Sequence, residues 1–158
     1  MGLRQLRTEG DEILRKKAKP VKEINEKIIA LLDDMRETLI EKNGVGLAAP
    51  QVGVLKRVAI VEYEDDFYEL INPVIIASED TQTCDEACLS VPGYHGDIER
   101  PLSITVEAMN RDGETFTVTV EEYLASVFCH ELDHLDGVLY LDKATNVRPI
   151  EKDEEDDE

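Results

Sequence analysis

The chain has 158 residues, enough for one domain with its own hydrophobic core and no need of disulfide support. A formal charge of −19, from 36 acidic against 17 basic side chains, argues against direct binding to nucleic acid. No N-terminal apolar run resembles a signal peptide and no segment is long enough to span a bilayer, so a reducing cytoplasm is expected, with the three cysteines free for ligation or catalysis.

In chain order, residues 24–39 place Ile24, Ile28, Leu31, Leu32, Met35 and Leu39 at helical spacing with charges between them, which predicts an amphipathic helix packed on a core. The following stretch, NGVGLAAPQVG, is too rich in glycine to continue the helix and too apolar for a solvated loop. KRVAIVEY, FYELIN and PVIIAS are short β-branched runs separated by turn residues and predict strands. PLSITVEAMNRDGETFTVTV predicts a hairpin that turns at NRDG. From Glu121 to Leu135 the period is helical again, and Gly137 provides a stop. EKDEEDDE at the end carries seven acids and one lysine and is expected to be disordered. Together these predict an α+β domain over residues 1–150 with a mainly antiparallel sheet, followed by an acidic tail over 151–158.

The second predicted helix carries HELDH at 130–134. At about 100° per residue, Leu124, Val127, Phe128, His130, Glu131, His134 and Leu135 share an arc of roughly 160°. Three ionisable side chains thus sit on the apolar stripe, where burial without partners is costly. A lone histidine there reads as a satisfied core residue. Two at i and i+4, with a glutamate after the first, aim both rings at one ion and set a carboxylate beside it. Cys129 falls on the far side of the helix, out of reach of that ion.

Two histidines hold a metal weakly, so a third ligand is needed. Downstream, Tyr140 stands where one protease class has histidine, and the glutamates after His134 lie in the tail. Upstream stand Cys84, Cys88 and His95. Cys84 and Cys88 with both histidines would form a closed structural zinc site, but that would leave Glu131 without a task. Three ligands with one open position suit catalysis better. An endoprotease on the same helix lacks its downstream ligand, and an inactive metal-binding module has no use for Glu131.

GVGLAAPQ at 44–51, EACLS at 86–90 and HELDH at 130–134 occur in the order of three motifs, and the chain thereby resembles the peptide deformylases. ILRKKAKPV, SVPG, IERP and HLDG in the flanking text agree. The resemblance implies a sheet packed around a central metal-binding HExxH helix. It further implies hydrolysis of the formyl group from the N-terminal formyl-methionine of nascent polypeptides, releasing formate. Cys88, His130 and His134 are then the metal ligands, with ferrous iron the first expectation and zinc, nickel or cobalt as substitutes. Glu131 is the general acid–base, and the Gln51 side-chain amide and Leu89 backbone N–H stabilise the oxyanion. Val45 and Gly46 lie along the substrate. The implied partners are formyl-methionyl nascent peptides, with transient proximity to the ribosome, no nucleic acid contact and no membrane. Ala87 stands where the motif has glycine, which predicts strain of about 1 kcal/mol or more if that position needs a positive φ.

Overall fold

A computed structural model describes residues 2–150; the expected disorder of the acidic tail lies outside them. The first long helix, α1 (Glu26–Glu41), starts at Asn25, whose side chain accepts hydrogen bonds from the Lys27 and Ile28 amides and so satisfies two of the free N–H groups of the first turn. Ile28, Leu31, Leu32, Met35 and Leu39 are buried on one stripe, as the period predicts.

All strand pairings are antiparallel. The six-stranded sheet runs β1 (Gly46–Ala48), β2 (Val58–Tyr63), β3 (Asp66–Cys88), β4 (Val91–Met109) and β5 (Thr115–Glu121), with β6 (Thr145–Pro149) added to β4. The fold is α+β with a mainly antiparallel sheet. The four residues Val58–Val61 of β2 are all fully buried. Val58 and Ile60 pack in the cluster that includes α1, while Val61 joins the cluster formed by the second helix. A strand covered on both faces reads as a continuous apolar run, which is why this segment does not alternate.

Two expectations are corrected. FYELIN and PVIIAS are parts of the single 23-residue strand β3, interrupted by a register shift between Ile71 and Val74. Asn72 takes φ +53° there, and its side chain bonds both the N–H and the carbonyl of Val21. The Asn-Pro pair that reads as a turn is therefore a bulge, a conformation asparagine tolerates. Residues 79–88 and 91–100, to which no element was assigned, are strand as well: the polar, largely exposed run Glu79–Thr83 has no apolar alternation and is held in β3 by pairing with β4. The hairpin at NRDG forms as predicted, with Asn110 Oδ1 accepting from the Asp112 and Glu114 amides.

The second long helix, α2 (Glu122–Leu135), ends at Gly137, which has φ +76°. A Cβ at 137 would stand 2.5 Å from the Arg15 carbonyl oxygen, so glycine is required both by the turn and by the close approach of the segment at Arg15. From Ala125 to Leu132 every residue of α2 is buried, not one stripe alone. Cys129 on the supposed far side is only 5% exposed and packs in the same cluster as Val106 and Phe128.

Candidate active site

Cys88 is the last residue of β3 and pairs with Val91, the first of β4, so Leu89 and Ser90 form a two-residue turn at the tip of the long hairpin. That tip lies against α2. The ligand-capable atoms of Cys88, His130 and His134 are all within 4.8 Å of one another, and Cys88 Sγ stands 3.3 Å from His134 Nε2. The Ser90 N–H donates to the same sulfur at 3.4 Å. Cys84, four residues back on β3, is outside this group and packs beside Ile98 and Leu139. The three-ligand arrangement is therefore the one brought together, and the four-ligand alternative is not.

Behind the histidines lies a buried chain of charges that the sequence reading left without a role. His130 Nδ1 and Glu86 Oε1 are 2.8 Å apart. Arg100 makes two parallel bonds to Glu86, both 2.9 Å, and a third to Asp133 at 2.6 Å. Arg100 is 3% exposed and Glu86 7%. Breaking one member of such a set leaves an uncompensated buried charge. With Nδ1 engaged by Glu86, His130 presents Nε2 to the cluster, the usual way an outer carboxylate fixes a ligating ring. Burial alone would raise Glu86 above the ordinary carboxylate value, but the bonds from Arg100 and His130 hold it below. Burial would likewise lower His130, yet Cys88, Glu86 and the charge of Glu131 raise it well above its usual value. His134 is pushed down by burial and by the charge on His130.

Glu131 is buried, and burial pushes its carboxyl up to about 7. Among the described residues its Oε1 has no hydrogen-bond partner, nor has His134 Nδ1. Its Oε2 lies against Gly46, where a Cβ would come to 2.6 Å. Gly46 does not have positive φ, so this glycine is required by space. Gln51 follows β1 in a short 3₁₀ turn (Ala49–Val52) and is 1% exposed. Its Oε1 accepts from the Ala48 N–H at 2.9 Å, which turns Nε2 toward Ser90 Oγ at 3.1 Å and Cys88 Sγ at 3.7 Å.

These groups open onto a cleft of about 440 Å³. Val45, Gly46, Gln51, Cys88, Leu89, Val127, His130 and Glu131 line it, whereas Leu124 and His134, on the same predicted arc of α2, do not. The Leu89 N–H meets no acceptor among the described residues. Among the described residues β1 ends the sheet on this side, paired only with β2. Tyr94 and Tyr123 also line the cleft, and Ile150 carries it beyond the helix stop at Gly137. Ala87 lies on β3 opposite His95 and is not among the residues with positive φ, so the expected strain is absent.

The donor set suits a divalent ion: one thiolate-capable sulfur and two imidazoles converge, an outer carboxylate orients one ring, and the orphaned Glu131 oxygen needs a donor such as water.

A family model described as polypeptide deformylase matches residues 3–149. The peptide deformylase of Acetivibrio thermocellus is 54% identical over 154 residues, covering 98% of this chain and 89% of that one. Among solved structures, peptide deformylase from Thermotoga maritima superposes with a TM-score of 0.89 at 39% identity, covering 92% of this chain and 99% of the other. The Ehrlichia chaffeensis peptide deformylase in complex with actinonin gives a TM-score of 0.90 at 33% identity, with 92% and 91% covered.

Proposed function

The chain belongs to the polypeptide deformylase family, and on that premise we propose how its residues divide the reaction. The activity is removal of the N-formyl group from the N-terminal formyl-methionine of newly made polypeptides. Water adds to the formyl carbon, the C–N bond breaks, and formate and a free amine leave.

Cys88, His130 and His134 would hold the ion, with Glu86 fixing His130. When bound, a divalent ion supplies Lewis acidity and brings the pKa of water toward neutrality. We take ferrous iron as the resident metal, with zinc, nickel and cobalt suited to the same ligands. Glu131 accepts the proton of the attacking water and passes it to the departing amine, a role its raised pKa suits near neutral pH. The Gln51 Nε2 amide and the Leu89 N–H donate to the oxyanion. Val45 and Gly46, at the outer edge of the sheet, offer backbone groups to an extended peptide.

Residues 1–150 act as the single catalytic domain, a reading supported by the extent of the family match. The substrate is met as chains leave the ribosome, so we place the protein in the cytoplasm with transient ribosome proximity. The charge of −19 opposes contact with RNA. Among the described residues, no helix is long and apolar enough to cross a membrane.

One observation carries this reading: Cys88, His130 and His134 converge, and Cys88 and His130 share one cleft with the buried Glu131, whose Oε1 has no partner among the described residues. Anaerobic purification, metal analysis and a formate-release assay on formyl-methionyl peptides, all on one sample, test it. Near-stoichiometric metal with formate release is expected; metal-loaded protein that releases none would overturn it.

A further inference from the structure

Tyr140, which stands where one protease class carries its third histidine, is fully buried and does not line the cleft. Its hydroxyl meets no hydrogen-bond partner among the described residues. Its ring instead stacks on His130, with centroids 6.0 Å apart and planes 24° apart, and it packs in the same buried cluster as Cys88. One ring is therefore stacked on one proposed ligand and shares its packing with a second. The turn that carries it is held from outside. Tyr140–Asp142 is a short 3₁₀ turn just beyond Gly137. Asp142 Oδ2 accepts from the Leu139 N–H at 3.0 Å and from Arg15 at 2.6 Å, and the Tyr140 carbonyl accepts from the Lys143 and Ala144 N–H groups.

We propose that Tyr140 is a positioning residue for the metal centre: its ring, and not its hydroxyl, holds the His130 imidazole at the tilt that presents Nε2 to Cys88 and His134. The proposal rests on the metal-dependent deformylase reading and adds to it a residue outside the ligand and proton-transfer groups. Glu86 anchors His130 at Nδ1. A bond to one ring nitrogen fixes that atom and leaves the ring free to tilt about it; a flat ring lying against the imidazole face opposes the tilt. The spacing falls within the about 4.5–7 Å of favourable aromatic pairs. His134 meets the His130 ring edge-on, at 5.1 Å and 65°, and gives no such flat support. A buried hydroxyl without a partner costs stability, so phenylalanine would fill the same space at no loss.

The test uses the full-length chain loaded with cobalt or zinc: the parent, Tyr140→Phe, Tyr140→Leu and Tyr140→Met. Phenylalanine keeps the ring, whereas methionine replaces it with an unbranched apolar chain that fills irregular space. Metal affinity is read by competition with a chelator, and the visible absorption of bound cobalt reports how sulfur and imidazoles are arranged around the ion. Tyr140→Phe is expected to match the parent in both. Tyr140→Leu and Tyr140→Met should bind both metals about 10-fold more weakly, the lower end of what loss of a ligand's outer partner costs, and should shift the cobalt bands. Urea unfolding measures core packing apart from this; a merely structural ring would lower stability and leave affinity and spectrum of the folded protein unmoved. Parent-like affinity and spectrum in the two non-aromatic variants would overturn the proposal and leave the metal site standing. So would equal metal loss in Tyr140→Phe and Tyr140→Met, which would assign the role to the hydroxyl, and so would failure of both non-aromatic variants to fold. A parent that holds neither metal would overturn the metal-dependent reading and the proposal with it.

Discussion

Gly46 lies so close to Glu131 that a Cβ at position 46 would stand 2.6 Å from Oε2 and 2.9 Å from Cγ. The glutamate side chain is therefore seated by a missing side chain on β1. Gly46→Ala should displace Glu131 while leaving Cys88, His130 and His134 in place. We expect bound metal to be retained and kcat to fall by about 10²-fold or more, the lower end of what an acid–base group contributes. Metal analysis beside steady-state kinetics checks it; an unchanged kcat would show that Glu131 has room to move.

Glu131→Gln removes the proton acceptor and keeps the shape. Metal should stay bound and turnover should drop about 10²–10⁴-fold. Single-turnover formate release on metal-loaded protein separates this from weakened substrate binding.

Cys88→Ser should lose the metal together with activity, because a hydroxyl is a poor substitute for a thiolate ligand. Cys84→Ser, outside the converging group, should keep both. Comparable metal loss from the two variants would restore the four-ligand structural site.

Gln51→Ala removes the side-chain oxygen that the Ala48 N–H meets and the amide proposed for the oxyanion. A kcat loss of about 10²–10³-fold is expected for the missing donor. A stability loss of about 1–3 kcal/mol is expected for the unpaired buried N–H. Denaturant unfolding measures the second effect apart from the first; a rise in KM at constant kcat would assign Gln51 to ordinary binding.

Glu86→Gln should weaken metal binding about 10–100-fold, as loss of an outer ligand partner commonly does. It also carries a pH signature. Burial opposes ionisation of Glu86, but Arg100 and His130 outweigh it and hold the folded-state value below the ordinary one. The ionised carboxylate therefore stabilises the fold fully above the unfolded value of about 4.3, and that contribution is lost as pH falls through the lower folded value. The stability difference between parent and variant should shrink as pH falls below about 5. A difference independent of pH would show that Glu86 contributes shape and not charge.

The amino-acid sequence alone determined the elements whose cause is local and the residues whose chemistry is carried by spacing. The apolar stripe from Ile28 to Leu39 made α1, the NRDG turn made the β4–β5 hairpin, and the four-residue spacing of His130 and His134 put both rings on one side of α2. Gln51, and the choice of Cys88 over Cys84 and His95, were reached only through resemblance, since neither has a local partner that announces it. What the tertiary structure decided is everything that depends on pairing across distance. β3 is one strand because β4 holds its polar stretch, although Glu79–Thr83 has no strand pattern of its own. Glu86 and Arg100 are 14 residues apart, and Glu86 and His130 are 44 apart, so no periodicity links them; the hairpin folding onto α2 does. Gly46 read as room for a peptide, yet its closest demand is the Glu131 side chain. Ile150 gave no sign of belonging to the site, and β6 returns it to the cleft rim beside Gly93. Spacing encodes which groups face the same way, while burial, orphaned atoms and charge compensation exist only once distant segments exclude water together.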